Sequence, residues 1–314
     1  MSAPRLLSLP FFAWALLVAA PARSAVIPPS SDPASRMVRV GGLERRFSVY
    51  APPSLRPGSP LLIAFHPSGA TGPGMRRICG DLLERMGRDR SFVVAYPTGF
   101  EGHFDDLRRR ASYSARRLKI DDVGFTRAIV DQVALEYGID RRRVYALGYS
   151  NGGAMVLRLA LQAPDLVAGV VAIAANLPTA DNIDCPIVEG RHTAVVLIEG
   201  TADPINPYLG GRVSIFGIGD RGPVLSAQKS AEWFARRYGL DPDRTPKPAL
   251  RQGSLVATWQ DWGSPAPLVR LVTIQGGGHT VPKAAHGPPN LLVGHTFRSD
   301  AILEGAWDLL IKAS

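Results

Sequence analysis

Val144-Tyr145-Ala146-Leu147-Gly148-Tyr149-Ser150-Asn151-Gly152-Gly153 decides how this chain is read. The four leading apolar residues predict a strand buried on both faces. Gly148, Ser150 and Gly152 fit the pattern G-x-S-x-G, in which a strand turns sharply into a helix. The serine of such a turn sits in a strained backbone conformation. Side chains two residues to either side would collide, which accounts for both glycines. The hydroxyl then stands above the sheet at the positive end of a helix. Five residues alone are a weak signal. The strand before them and the helical stretch to about Gln162 supply the context.

Working outward, the chain alternates strands and helices. Met37–Val40 and Arg46–Tyr50 flank Gly41-Gly42 and predict a hairpin. Leu61–Phe65 and Phe92–Ala95 read as buried strands, and residues 75–88 as a helix between them. Residues 100–118 carry five arginines with little periodicity and read as a loop with a solvated cationic face. In residues 121–137, Phe125, Ile129, Val133 and Tyr137 repeat every four positions, Asp121 or Asp122 can cap, and Gly138 stops the helix. Val167–Ala172, Ala194–Ile198 and Val269–Ile274 predict strands; Leu225–Tyr238 and Asp300–Ile311 predict helices. The alternation implies an α/β architecture, a mostly parallel sheet with helices on both faces.

A serine hydroxyl needs a base, and the base an orienting acid. Where such a turn carries the nucleophile, the chain order is Ser, then Asp or Glu, then His. Asp203 lies just past the strand Ala194–Ile198, and His279 just past Val269–Ile274. Both therefore fall at carboxyl ends of strands, where open α/β sheets place their chemistry. His66 and His103 precede the serine, His192 precedes a strand, and His286 and His295 lie in a Pro/Gly-rich loop. Asp181, Asp184 and Asp220 compete with Asp203 for the acid. An oxyanion hole needs about two preorganised N–H donors. The candidates are the backbone N–H of Asn151 and, because Pro67 has none, that of Ser68.

Composition sets limits. The chain has 314 residues, 46% hydrophobic and 20% charged, which is globular. The net charge of +9 is modest for the length and gives no argument for nucleic acid. Two cysteines exclude a disulfide-dense scaffold and a cysteine-rich metal site. Arg5, the apolar run Leu6–Ala20 and the small residues to Ser24 form a secretory pattern. Residues 1–24 are thus expected to be a signal peptide, and 25–314 a single catalytic domain. The run is shorter than the roughly 20 residues that span a bilayer and is broken by Pro10, so no membrane association is expected after cleavage. Export would leave Cys79 and Cys185 free to pair or to remain two separate buried thiols.

Together the motifs carry a family resemblance. Tyr96-Pro97, Asp121-Asp122-Val123-Gly124-Phe125, the stretch Gly148–Gly153, Gly200-Thr201-Ala202-Asp203-Pro204 with Pro207-Tyr208, Gly276-Gly277-Gly278-His279-Thr280 and the stretch Gly294–Asp300 run over most of the chain. The sequence resembles the secreted polyhydroxybutyrate-depolymerase and feruloyl-esterase-like α/β-hydrolases, close to family-one carbohydrate esterases. The resemblance implies Ser150 as nucleophile, Asp203 as acid, His279 as base, an ester substrate, no cofactor or metal, and export. Short acyl, hydroxycinnamoyl-sugar and hydroxyalkanoate esters are the expected substrates. Action on solid polyester, acyl transfer, peptide hydrolysis and a non-catalytic binding role are the alternatives. Three positions depart from the family: Pro67 stands where Gly is usual, Glu199 where His is usual, and Val281 where Trp is frequent. All three lie near the expected site and bear on substrate preference.

Overall fold

The computed structural model describes residues 30–215, 217–243, 247, 249–263, 268–283 and 290–313. The expected signal peptide lies outside them. Strands β1 (Ser30–Val40), β2 (Leu43–Ala51) and β3 (Leu61–Phe65) are followed by helices α1 (Gly72–Cys79) and α2 (Leu82–Arg90). Then come β4 (Val93–Pro97), α3 (Ser114–Arg117), α4 (Asp122–Tyr137), β5 (Val144–Tyr149), α5 (Asn151–Gln162), β6 (Gly169–Ile173) and β7 (Ala194–Gly200). The two-residue β8 (Gly211–Arg212) and β9 (Pro223–Val224) precede α6 (Ala227–Arg237). Short β10 (Pro242–Asp243) and β11 (Leu250–Gln252), then β12 (Leu255–Trp262), β13 (Val269–Gln275), α7 (Asn290–Val293) and α8 (Ala301–Lys312) complete the order.

Eleven strands form one sheet in the order β1-β2-β4-β3-β5-β6-β7-β13-β12-β10, with β11 on β12. The six strands from β4 to β13 are mutually parallel, and antiparallel strands extend both sides. Full burial of β3, β4, β5, β6 and β7 explains their continuous apolar runs. Alternate residues feed two cores. Leu61, Ile63 and Phe65 face α4, α5 and α6, whereas Leu62 and Ala64 face α1, α2 and α8. The chain leaves β3 over one face and β5 over the other. Their adjacent carboxyl ends thus open a crevice of the kind that receives ligands.

Several elements differ from the sequence expectation. The helix over 75–88 is two helices, because Gly80 adopts φ 63° and closes α1 through its N–H to Arg77 O. Strand β12 was not expected; Thr258, Gln260 and Asp261 interrupt its apolar pattern, yet it pairs along its length with β13. Trp262 on it is buried in the core and Trp259 packs at the sheet's far side, beneath the Arg270 guanidinium. The arginines of residues 100–118 are not all a solvated face. Arg108 and Arg116 are largely buried, paired with Asp106 and Asp105 of the same loop. Cys79 packs on one face of the sheet and Cys185 on the other, so both are free thiols. Burial pushes them up, to about 12 and about 11 respectively, which disfavours the nucleophilic thiolate.

One buried ion pair ties the N-terminal hairpin to the site side of the sheet. Arg45 on β2 donates to Asp122 Oδ1 at 2.6 Å, with side chains 3% and 0% exposed. Its guanidinium lies 4.2 Å from the Phe125 ring centre. Asp122 Oδ2 accepts the Asp105 N–H at 2.6 Å, anchoring the loop before α3. Asp121, not Asp122, caps α4, accepting from the Gly124 N–H at 2.7 Å. Arg45→Met leaves the Asp122 carboxylate buried without its partner. It is expected to cost about 3–5 kcal/mol in denaturant unfolding. Arg127→Met removes only an exposed pair with Asp165 and is expected to cost less than about 1 kcal/mol.

Candidate active site

Ser150 directly follows β5 and caps α5 with φ 57°, a left-handed backbone that a non-glycine residue adopts at a cost of roughly 1–3 kcal/mol. The turn is tight enough to exclude side chains on both flanks. A Cβ on Gly148 would fall 2.0 Å from the Gly152 carbonyl oxygen, and one on Gly152 would fall 2.3 Å from that of Phe65. The Ser150 N–H donates to Ile173 O of β6 at 2.9 Å, so three adjacent strands hold the turn.

The loops after β7 and β13 converge on this hydroxyl. His279 Nε2 lies 2.9 Å from Ser150 Oγ, and His279 Nδ1 lies 2.7 Å from Asp203 Oδ2. A carboxylate only accepts, so Nδ1 carries the proton and Nε2 faces the serine as an acceptor. The other Asp203 oxygen accepts the N–H groups of Ile205 and Asn206, both at 2.8 Å. The His279 backbone is pinned as well: its N–H donates to Val293 O, and its carbonyl accepts the Tyr149 hydroxyl at 2.6 Å. Such a chain can pass a proton from the serine hydroxyl to the imidazole.

Asn151 is completely buried, and its side chain is spoken for. Its Nδ2 donates to Phe104 O, Asp106 Oδ2 and the Tyr113 hydroxyl, while its Oδ1 accepts the Phe104 N–H at 2.9 Å. Its backbone N–H opens α5, where helical geometry offers no acceptor. Ser68 lies half-buried in the crevice beside Ser150. The loop carrying it is fastened by His66, whose Nδ1 donates to Pro67 O at 2.8 Å and whose Nε2 accepts the Gly99 N–H at 2.9 Å.

Glu199 is fully buried beneath the Asp203 loop. It accepts the Ala175 N–H at 2.9 Å and an Asn206 amide N–H at 3.1 Å. Burial first, and then the neighbouring Asp203, push its carboxyl well above the usual range. Val281 lines a cavity of about 650 Å³ with Tyr149, Thr280 and Lys283. A second cavity of about 200 Å³ is lined by Ser68, Ser150, His279, Arg108 and Arg221, among others. Tyr149 borders both. Sequence reasoning missed Arg221, Arg108 and the Asp106–Tyr113 pair, because no motif marks them.

The competitors sit elsewhere. Asp184 pairs with Arg116, Asp220 with Arg212, and Asp181 holds Thr179 at the surface. His103 stacks on Tyr113 and His192 on Tyr238. His286 lies outside the described residues. Among those described, no group of three or more His, Cys, Asp or Glu side chains could hold a metal ion. No helix of the described residues is long and apolar enough to cross a membrane.

Burial lowers His66 to about 4 against an ordinary value near 6.5. Between about pH 6.5 and pH 4 the native state therefore keeps it neutral while the unfolded chain protonates it. Its contribution is fully present above about pH 6.5 and is lost as pH falls toward 4, amounting to about 3 kcal/mol. Urea unfolding measured between pH 7 and pH 4 is expected to show this loss, with a flatter profile in His66→Asn.

Residues 116–214 match the family described as Phospholipase/Carboxylesterase. NocK of Nocardia uniformis subsp. tsuyamanensis, named as an esterase, is 32% identical over 295 residues, covering 88% of this chain and 82% of that protein. Feruloyl esterase B of Piromyces equi is 26% identical over 227 residues, covering 70% of this chain but 39% of that protein. The acetyl xylan esterase of Aspergillus awamori has the same fold, with a TM-score of 0.57 at 17% identity over 79% of this chain and 95% of that one. The parallel sheet with its serine turn and the match to NocK along most of both sequences agree: this chain belongs to the same esterase family as NocK, has the α/β-hydrolase fold, and is a carboxylic ester hydrolase.

Proposed function

We propose that the chain is a serine esterase, exported after loss of residues 1–24, whose single catalytic domain hydrolyses soluble short-acyl or hydroxycinnamoyl-sugar esters. The observation that carries the reading is the hydrogen-bond chain from Asp203 through His279 to Ser150, at 2.7 and 2.9 Å. Ser150 Oγ attacks the ester carbonyl carbon as His279 Nε2 takes its proton. The oxyanion is held by the backbone N–H groups of Asn151 and Ser68. As the tetrahedral intermediate collapses, the C–O bond to the alcohol breaks and His279 protonates the leaving oxygen. Water then gives a proton to His279 and attacks the acyl-enzyme. Collapse returns that proton to Ser150 and frees the acid. Asp203 holds the imidazole tautomer and stabilises its charged form.

Soluble substrates are favoured over solid polyester by the placement of the reacting groups. His279 is 5% exposed and shares its cavity with Pro67, Ile205 and Val293. An ester must therefore enter the crevice to reach Ser150, and a flat polymer surface presents few free chains that can.

Ser150→Ala is expected to lower kcat for p-nitrophenyl butyrate by about a millionfold in a protein whose circular dichroism is unchanged. Retention of a tenth of the activity would remove Ser150 as nucleophile. Asp203→Asn, which stabilises the wrong tautomer, is expected to lose about ten-thousandfold. A near-silent Asp203→Asn would assign the acid to another carboxylate. Granules of polyhydroxybutyrate are expected to be hydrolysed far more slowly than the soluble ester. Equal rates with tight granule binding in a pull-down would instead make the protein a depolymerase.

A further inference from the structure

Arg221 lies in the same small cavity as Ser150 and His279, and among the described residues no carboxylate forms an ion pair with it. It is 9% exposed. Its guanidinium donates to Gly219 O and to Ser68 Oγ, both neutral acceptors and both at 3.3 Å. The carboxylates around it are already spent. Asp106 holds the Arg108 fork, the Tyr113 hydroxyl and the Asn151 amide. Asp220 pairs with Arg212, and Asp203 faces His279. Arg108 and Arg221 therefore share one carboxylate, and its fork belongs to Arg108. Burial, and next the charge of Arg108, push Arg221 below its ordinary value.

A buried guanidinium without a counterion is costly unless something is meant to fill the gap. It offers five donors in a planar fork, and two long contacts use little of that capacity. The cavity holds about 200 Å³, and Val213 and Ile215 supply apolar wall beside the fork. That space fits a short chain with one compact anion. One cation matches a monoanionic carboxylate, whose two oxygens fit the fork; a phosphate dianion would need further positive partners.

We infer that this enzyme is selective for esters that carry a carboxylate a few atoms from the scissile carbonyl, with Arg221 as the recognising residue. The inference rests on Ser150 being the nucleophile. With the ester carbonyl at Ser150, a carboxylate on either the acyl or the alcohol side can lie toward Arg221, and the product is then a dicarboxylic acid or a hydroxy acid. The charge-assisted contact replaces the missing counterion, so the bound anion also relieves the uncompensated charge.

The test compares esters that differ only in a terminal methyl or carboxylate, at pH 7.5, with released acid followed by titration. On the acyl side, methyl hexanoate is set against monomethyl adipate, with the shorter butyrate–succinate and pentanoate–glutarate pairs. On the alcohol side, pentyl acetate is set against 5-acetoxypentanoate. The wild type is expected to favour the anionic member of at least one pair by about tenfold or more in kcat/KM. Arg221→Gln is expected to bring that ratio to about one, and Arg221→Lys, which keeps a charge but loses the fork, to an intermediate value. A wild-type ratio near or below one in every pair overturns the inference, however the variants fold, and leaves the esterase mechanism standing. A preference that survives in Arg221→Gln overturns the role given to Arg221. Hydrolysis that persists in Ser150→Ala removes the nucleophile and this inference with it.

Discussion

A serine held at φ 57° between two backbones too close for any side chain is the constraint from which the rest of this site follows. Gly152 brings the start of α5 against the Phe65 carbonyl, so the loop after β3 must pass directly beside Ser150. That contact puts Ser68 in the crevice. The Ser150 N–H bound to Ile173 O joins the turn to β6. Parallel pairing then carries the register through β7 to β13, so that Asp203 and His279 leave the sheet at the same edge. The strain is local, and the burial of five neighbouring strands offsets it.

Beneath the crevice, polar groups are buried in mutually satisfying sets. Asn151, Asp106, Arg108 and Tyr113 form one, and Arg45 with Asp122 another. Buried polar groups are expensive when half-satisfied and rigid when complete. These sets hold the loop over residues 98–121, with only the four-residue α3 in it, firmly enough to serve as a wall of the site. Arg221 is the exception. It is less deeply buried than Arg108 and Asp106, no carboxylate among the described residues ion-pairs with it, and it lines the same cavity as Ser150 and His279. An uncompensated cation in that place turns the wall into a means of selection.

Glu199 shows another side of the same economy of charge. It lies under the Asp203 loop and binds Ala175 and Asn206. Because burial favours its protonated form, it can brace the loop without placing a second negative charge beside Asp203. A histidine at this position, as the resemblance leads one to expect, would brace the loop through different donors.

The sequence by itself determined the α/β alternation, the parallel core and the residues that end up at its carboxyl edge. Those follow from local rules: apolar runs, helical periodicity, a five-residue turn, and the order in which Ser150, Asp203 and His279 occur. The break at Gly80 was equally local but was hidden by apolar residues on both sides. Strand β12 was harder to see, since its partly polar pattern makes sense only once β13 lies alongside. Tertiary structure alone decided that Cys79 and Cys185 lie on opposite faces of the sheet, that two arginines of residues 100–118 are buried, and that Arg221 lines the same cavity as Ser150. Each of these depends on which distant groups share a space and which charges are already neutralised. A one-dimensional pattern carries neither, because Coulombic compensation is set by distance through the fold and not by separation along the chain.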